Sequence, residues 1–184
     1  VPAKVVSWAQ LAAESKKEGN ELTHELDFSE GDSTYPFGTH ISVVEIDKET
    51  GEARLINHFA VDDCGRVLNP MLVAGQQHGG IAQGIAQTLF EHVQYDEDGI
   101  PKSSNLMDYL MPSAAEMPSF TTFNTETDSP RNPLGAKGIG ESGTIGSTPA
   151  LHNAVVDALS HLGVMHVDMP CTPQKIWVAI HNAA

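Results

Sequence analysis

Asp128-Ser129-Pro130-Arg131-Asn132-Pro133-Leu134-Gly135-Ala136-Lys137-Gly138-Ile139-Gly140-Glu141-Ser142-Gly143 is the stretch that decides between two architectures for this chain. Gly138–Gly143 satisfies G-x-G-x-x-G, the phosphate-binding turn of doubly wound folds, which needs a buried strand immediately before its first glycine. The residues before Gly138 hold Pro130 and Pro133 and no apolar run, which argues against a strand. Downstream, a helix over Pro149–Leu162 and the strand-like Val164-Met165-His166-Val167-Asp168 imitate the second half of a βαβ unit. A Rossmann-like nucleotide-binding protein therefore stays open as an alternative. With the upstream strand missing, and with strands and helices interleaving irregularly elsewhere, the expected class is α+β: a two-layer mixed β-sheet with packed helices.

The same stretch carries the best candidate for chemistry. Four of the eleven residues from Pro133 to Gly143 are glycine, and glycine lets a backbone approach a ligand closely. Ser147 is a suitable N-cap, Pro149 falls just inside the expected helix, and Gly163 suits its C-terminal cap. A loop of free N–H groups beside a helix N-terminus attracts anions, so Glu141 is either repelled by the ligand or employed on it. A plain surface connector is the competing reading.

Working outward, Ser7-Trp8-Ala9-Gln10 is a capping box that opens a short helix to about Lys17, ended by Gly19. Glu21–Phe28 alternates loosely, as a strand would. Thr39–Asp47 and Ala53–Asp62 are rich in Ile, Val and Phe, and Lys48-Glu49-Thr50-Gly51-Glu52 joins them as a β-hairpin with a glycine in its turn. In Met71–His92, Ile81, Ala82, Ile85, Ala86, Leu89 and Phe90 form a helical apolar stripe. Gly75, Gly79, Gly80 and Gly84 interrupt that helix, each at a cost of about 1 kcal/mol relative to alanine. They imply close approach by a neighbouring helix or by a ligand. His92–Tyr95 and Ser119–Thr127 read as strands, Asp96–Gly99 as a turn, and Thr172-Pro173 starts a last helix through Ile180.

Composition bounds the function. Ten basic against twenty-four acidic residues give a formal charge of −14, which opposes nucleic-acid and anionic-membrane binding. No apolar run approaches the length of a membrane span. Cys64 and Cys171 are too few for a disulfide framework, which points to a reducing, cytoplasmic compartment. The start at Val1-Pro2-Ala3, without methionine or a signal segment, reads as the interior of a longer polypeptide or a processed subunit. At 184 residues the chain can form one core, or two small lobes of about 1–70 and 71–184.

Other chemistries find little support. Nine histidines occur, but none in H-E-x-x-H and none beside C-x-x-C, so no protein-ligated metal is expected. Cys64 lies among carboxylates, which raise a thiol pKa and make it a poor nucleophile. Asp62 and Asp63 are strand neighbours and point to opposite faces, which discourages shared acid–base work. Glu141 is left as the strong catalytic candidate.

Three segments then resemble the C-terminal half of the large, molybdenum-binding subunit of the xanthine oxidase family. The likeness is greatest to the carbon monoxide dehydrogenase large-subunit type and to related aldehyde and N-heterocycle hydroxylases. They are Gly75-Gln76-Gln77-His78-Gly79-Gly80-Ile81-Ala82-Gln83-Gly84, Asp108-Tyr109-Leu110-Met111-Pro112, and Asn132-Pro133-Leu134-Gly135-Ala136-Lys137-Gly138-Ile139-Gly140-Glu141. The hairpin followed by Asp62–Pro70 fits the same order, so the resemblance runs along essentially the whole chain as the C-terminal portion of a molybdopterin-binding domain.

The resemblance implies a molybdopterin cofactor carrying molybdenum, in the cytosine dinucleotide form of a bacterial or archaeal protein. It implies Glu141 as the base beside the metal, not ligating it, acting on a metal-bound hydroxyl. A glutamate buried beside anionic ligands has its pKa raised toward the range that suits this role. The cofactor contacts it implies are Gln76, Gln77, Gly79, Gly80, Gln83, Ser104, Asn105, Asp108, Lys137, Gly138, Ile139 and Gly140. Iron–sulfur and FAD centres are expected on partner chains, since two cysteines cannot hold a cluster. Roughly the first two-thirds of a family subunit has no counterpart here, so this chain is expected to be one lobe of a divided site and inactive alone. Exposed apolar surface, with self-association as one outcome, is expected at the Gly75–Gly84 face and the Leu134–Ile145 loop. The substrate could be an aldehyde, an N-heterocycle or carbon monoxide. A non-catalytic isolated domain is the remaining alternative.

Overall fold

A computed structural model describes residues 5–29 and 32–183. The chain divides into two compact units, Val1–Gly31 and Asp32–Ala184. In the first, the capping box forms: the Ser7 side chain accepts from the Gln10 N–H, the Gln10 side chain from the Ser7 N–H. Helix α1 runs over Trp8–Lys17, and Gly19 follows at φ 73°. The strand expected at Glu21–Phe28 does not form. Those residues are exposed and no ladder pairs with them, so their alternation has nothing to bury against.

The second unit contains one three-stranded mixed sheet in the order β1 (Phe37–Ile46), β2 (Ala53–Asp63), β3 (Phe120–Thr125). β1 and β2 are antiparallel, and β2 and β3 parallel. The hairpin turn is closed by Gly51 N–H to Asp47 C=O at 2.7 Å, with Gly51 at φ 77°. The register slips between Val43 and Val44, leaving Ile56 as the extra residue of a bulge. Core-facing side chains alternate along β1 and β2, ending in His40 and Ser42 on one strand and His58, Ala60 and Asp62 on the other.

Two long helices, α2 (Pro70–Leu89) and α3 (Ser142–Ser160), cover one face of this sheet, with α4 (Pro173–Ala183) closing the core through Ile176. Asn69 caps α2 by accepting from the Met71 and Leu72 N–H groups. The stripe Ile81, Ile85 and Leu89 meets Leu151, Val155 and Leu159 from α3. All of β1, β2, α2 and α3 therefore share one core, on both sides of residue 70.

Three sequence expectations are corrected here. Helix α3 starts at Ser142, not at Ser147, and Pro149 lies inside it. The extension is favoured by packing: Gly143 meets α2 so closely that an added Cβ would fall 2.6 Å from the Gln77 carbonyl. Pro149 stays on the exposed side, where its missing N–H is tolerated. Ser147 is therefore a fully buried contact residue and not a cap. Val164–Asp168 is not a strand; Val164 and Val167 pack on the helices, and the Val167 carbonyl lies 2.7 Å from His152 Nε2. His92–Tyr95 contributes only an isolated bridge from Tyr95 to Pro101. With no strand running directly into Gly138 and none following α3 among the described residues, the Rossmann-like alternative is not favoured. No helix among the described residues is long and apolar enough to cross a membrane.

Candidate cofactor site

The C-terminal end of β2 organises the site, and Asp62 and Asp63 there face opposite ways. Asp63 is fully buried and collects four donors. Its Oδ1 accepts from Gly65 N–H (2.9 Å), Thr127 N–H (3.1 Å) and Lys137 Nζ (3.0 Å), and its Oδ2 accepts from Thr125 Oγ1 (3.0 Å). Burial alone would raise its pKa, but these donors more than offset that and hold the carboxyl well below the usual range. Lys137 also lies 4.5 Å over the Phe37 ring, and its N–H bonds the Cys64 carbonyl at 2.7 Å. Gly65 and Ala136 form a bridge, and Gly65 (φ 67°) and Gly135 (φ 70°) allow the two backbones to touch. The loop before α3 is thus stapled to the sheet.

Beyond that staple the backbone is free. The N–H groups of Gly138, Ile139, Gly140 and Glu141 have no hydrogen-bond partner among the described residues. Glu141 occupies the N-cap position of α3, makes no capping bond with its side chain, and is exposed; the expected burial of this carboxylate is not provided by this chain. An added Cβ at Gly140 would have Gln76 Oε1 as its nearest neighbour, at 3.7 Å. Gln76, Lys137 and Ile139 line a pocket of about 180 Å³ together with Cys64, Leu72 and Val73.

Helix α2 presents two faces. Gln76, Gly79 and Gln83, spaced i, i+3, i+7, are exposed and continue the loop's surface. Gln77, Gly80 and Gly84 point inward. A Cβ on Gly80 would lie 2.9 Å from the Gly143 Cα, so this glycine is explained by helix packing and not by a ligand. Gln77 is fully buried. Its Nε2 donates to Asp62 Oδ2 at 2.9 Å and to the Phe123 carbonyl at 3.2 Å, and its Oε1 has no partner. Lys137 is likewise committed to Asp63 and not available as a free cation. Gln77, Gly80 and Lys137 are thus supports of the site's walls and not its exposed contacts.

Ser104, Asn105 and Asp108 are exposed and form a local turn, with Asn105 Nδ2 donating to Asp108 Oδ2 at 2.6 Å. Among the described residues none of the three makes a hydrogen bond to Glu141 or to the loop before it. The segment that follows them reaches α2, where Met111 and Pro112 share a pocket of about 420 Å³ with Gln83.

Sequence reasoning missed the buried network on the other side of β2. Asp62 Oδ1 lies 3.3 Å from His40 Nε2, His40 Nδ1 3.1 Å from His58 Nε2, and His58 Nδ1 2.9 Å from Ser42 Oγ. Burial, reinforced by His40, holds the His58 pKa down at about 4 against the opposing pull of Asp62. Burial pushes Asp62 up, but its bonds from His40 and Gln77 outweigh this and its pKa is lowered. With Asp62 ionised and both imidazoles neutral, one set of donors fits the three contacts. His40 Nε2–H donates to Asp62, His58 Nε2–H to His40, and Ser42 Oγ–H to His58. The signal was present in the sequence as His40, Ser42, His58 and Asp62, all at core-facing positions of the hairpin. Among the described residues no group of three or more His, Cys, Asp or Glu side chains is placed to hold a metal ion.

Gly75, Gly79, Gly138 and Gly140 remain unexplained within the chain. None has a positive φ, and an added Cβ would meet nothing within 4 Å at the first three and only the 3.7 Å neighbour at Gly140. Beside Gly138 and Gly140 lie the four N–H groups and the buried Ser142 Oγ, none with a partner among the described residues. Bare backbone with free donors at a helix N-terminus suits an anionic, phosphate-bearing group that approaches closely.

Known proteins share this sequence and this fold. The model of the molybdopterin cofactor-binding domain family matches residues 1–118. The carbon monoxide dehydrogenase large chain of Hydrogenophaga pseudoflava is 45% identical over 153 residues, which are 82% of this chain and 19% of that one. The nicotine 6-hydroxylase large subunit of Paenarthrobacter nicotinovorans is 40% identical over 139 residues, 76% of this chain and 17% of the relative. The crystal structure of quinoline 2-oxidoreductase from Pseudomonas putida 86 superposes with a TM-score of 0.76 at 46% identity, over 78% of this chain and 18% of the other. The chain spans less than a fifth of the length of these relatives. On the family match and the fold it shares with these structures, the chain belongs to the molybdopterin cofactor-binding domain family.

Proposed function

We propose that the chain is the C-terminal portion of the molybdopterin-binding domain of a large subunit, and one lobe of a site completed by the rest of that subunit. The whole is a molybdenum-dependent oxidoreductase that hydroxylates an aldehyde, an N-heterocycle or a similar small molecule, or oxidises carbon monoxide, with water as the oxygen source. The observation that carries this reading is the set of four glycines that neither conformation nor packing explains. Gln76, Gly79, Gln83, Gly138, Ile139 and Gly140 would hold the cofactor. Ser104, Asn105 and Asp108 would add polar contacts from the segment that reaches α2 at Gln83. Four free N–H groups match a pyrophosphate without any lysine, which supports the cytosine dinucleotide form and reconciles an anionic ligand with a chain of charge −14.

The cofactor, when bound, would supply the two-electron acceptor for a reaction that takes its oxygen from water and releases two electrons and two protons. Glu141 would take one of these protons at its carboxylate, from a position at the head of α3 where its side chain makes no capping bond, and the other would leave to solvent. The remaining wall of the pocket, supplied by the rest of the subunit, would exclude water from Glu141 and hold its carboxylate within reach of the proton it takes. Iron–sulfur and flavin subunits would carry the electrons onward, in the cytoplasm. The chain alone is expected to lack hydroxylase activity.

The test is Glu141→Gln in the assembled enzyme. Turnover should fall by about 10²–10⁴-fold, while molybdenum content and the unfolding midpoint stay at wild-type values. Full activity, or loss of molybdenum with unchanged turnover per metal, would mean that Glu141 has a different role.

A further inference from the structure

The sheet of the second unit has two apolar faces but only one layer of helices. On the face away from α2 and α3, Phe37, Ile41, Val43, Phe59, Val61 and Phe123 stand between 37% and 58% exposed. They are contiguous: Ile41 pairs with Phe59 across the hairpin, and Val61 with Phe123 across the parallel ladder. The ion pair at the end of this face, Asp63 with Lys137, is satisfied internally and lies against Phe37. A sheet apolar on both sides belongs between two layers, and a patch of this kind marks an interaction surface.

We propose that this outer face is the docking surface for the rest of the large subunit, which supplies the missing layer and abuts the Phe37–Lys137 contact of the loop leading to Glu141. The proposal rests on the reading of the chain as one lobe of a larger subunit. Three observations select this occupant. The relatives are more than five times longer than the matched segment, so ample chain exists to form a second layer. A central field without unpaired charge resembles a domain core cut in half, as in permanent interfaces, and lacks the charged steering of transient ones. A second copy is disfavoured because each brings a formal charge of −14.

Cysteine accessibility tests this in the complete assembly. Cys64 and Cys171 are buried at 3% and 1% exposure, so maleimide labelling of Ile41→Cys or Phe123→Cys reads the new thiol. Both sites should label freely in the isolated chain at all concentrations and at least tenfold more slowly in an active, molybdenum-loaded assembly. Equal labelling in an active assembly overturns the docking face and leaves the proposed function standing. Protection that grows with the concentration of the isolated chain also overturns it, in favour of a second copy, and protection in the dilute isolated chain shows that the chain covers the face itself. Failure of any larger subunit to co-purify overturns the underlying reading, and the docking face with it.

Discussion

Helix α2 carries glycines for two different reasons on its two sides. Gly80 and Gly84 face α3, where a side chain would collide with Gly143, Thr144, Ser147 and Thr148. Gly75 and Gly79 face outward, where a side chain would meet nothing within 4 Å. Each glycine costs the helix about the same, near 1 kcal/mol relative to alanine. The inner pair recovers that cost inside the chain through close helix packing, whereas the outer pair recovers nothing there. A helix that keeps such a cost on a bare surface points to something outside it.

The inner side should be the least tolerant of change. Gly84→Val would drive its side chain into Ser147 Oγ and to within 2.9 Å of the Thr148 N–H. Overpacking typically costs about 1–3 kcal/mol where flexible side chains can yield. Here backbone must yield, so a loss on the order of 5 kcal/mol and a largely insoluble product are expected. A soluble variant with an unchanged urea midpoint would show that α2 and α3 do not meet as described.

The staple that supports the outer side comes next. Lys137→Met keeps the stem over Phe37 but strips the cation from a buried Asp63. Removing one partner of a buried pair costs about 3–5 kcal/mol; with the Gly65, Thr125 and Thr127 donors still in place, about 2–3 kcal/mol is expected by urea unfolding. The loss should shrink as pH falls through the carboxylate range, because Asp63 stabilises the fold only while it is ionised and its folded pKa lies below the unfolded one. A pH-independent loss would assign Lys137 a packing role alone.

The inner network adds its own acid sensitivity. His58 has a folded pKa of about 4 against 6.5 when unfolded. Above pH 6.5 both states are neutral and its contribution is complete. Between 6.5 and 4 only the unfolded chain takes up the proton, so stability falls. Wild type should lose about 1–2 kcal/mol between pH 7 and pH 5 from this residue, after allowance for screening, and His58→Gln should remove that part of the slope. An unchanged slope in His58→Gln would place the acid response elsewhere.

The residues that made the fold legible are those whose signal is local. The Ser7 capping box, the hairpin with Gly51 in its turn, and the Ile81–Leu89 stripe each carry their own explanation in sequence. What stayed hidden depends on contacts between distant residues. Helix α3 runs through Pro149 because Gly143 and Ser147 have a partner in α2, and local capping rules pointed to Ser147 instead. Glu21–Phe28 and Val164–Asp168 have strand-like alternation but no neighbouring ladder. In the site, the family motif named Gln76 and Gln77 alike, although adjacent helical positions point about 100° apart. Only the fold shows that Gln77 turns inward to Asp62 while Gln76 stays with the loop.

The smallest expected effect separates the two sides most sharply. Gly79→Ala adds one methyl group in open space on a helical position with ordinary dihedrals, so nothing in the chain opposes it. Helix propensity and reduced freedom of the unfolded chain should then stabilise the isolated chain by about 0.5–1 kcal/mol, against destabilisation for the same substitution at Gly80, where the methyl would lie 2.9 Å from backbone atoms of α3. In the complete assembly the sign of the benefit should reverse. If Gly79 is bare because a cofactor lies on it, the methyl group must displace that ligand, and the molybdenum retained after purification should drop while the urea midpoint of the isolated chain rises. A variant that is both more stable and fully loaded with molybdenum would mean that the open face of α2 serves some other neighbour, and the cofactor would then have to be sought along Gly138–Glu141 alone.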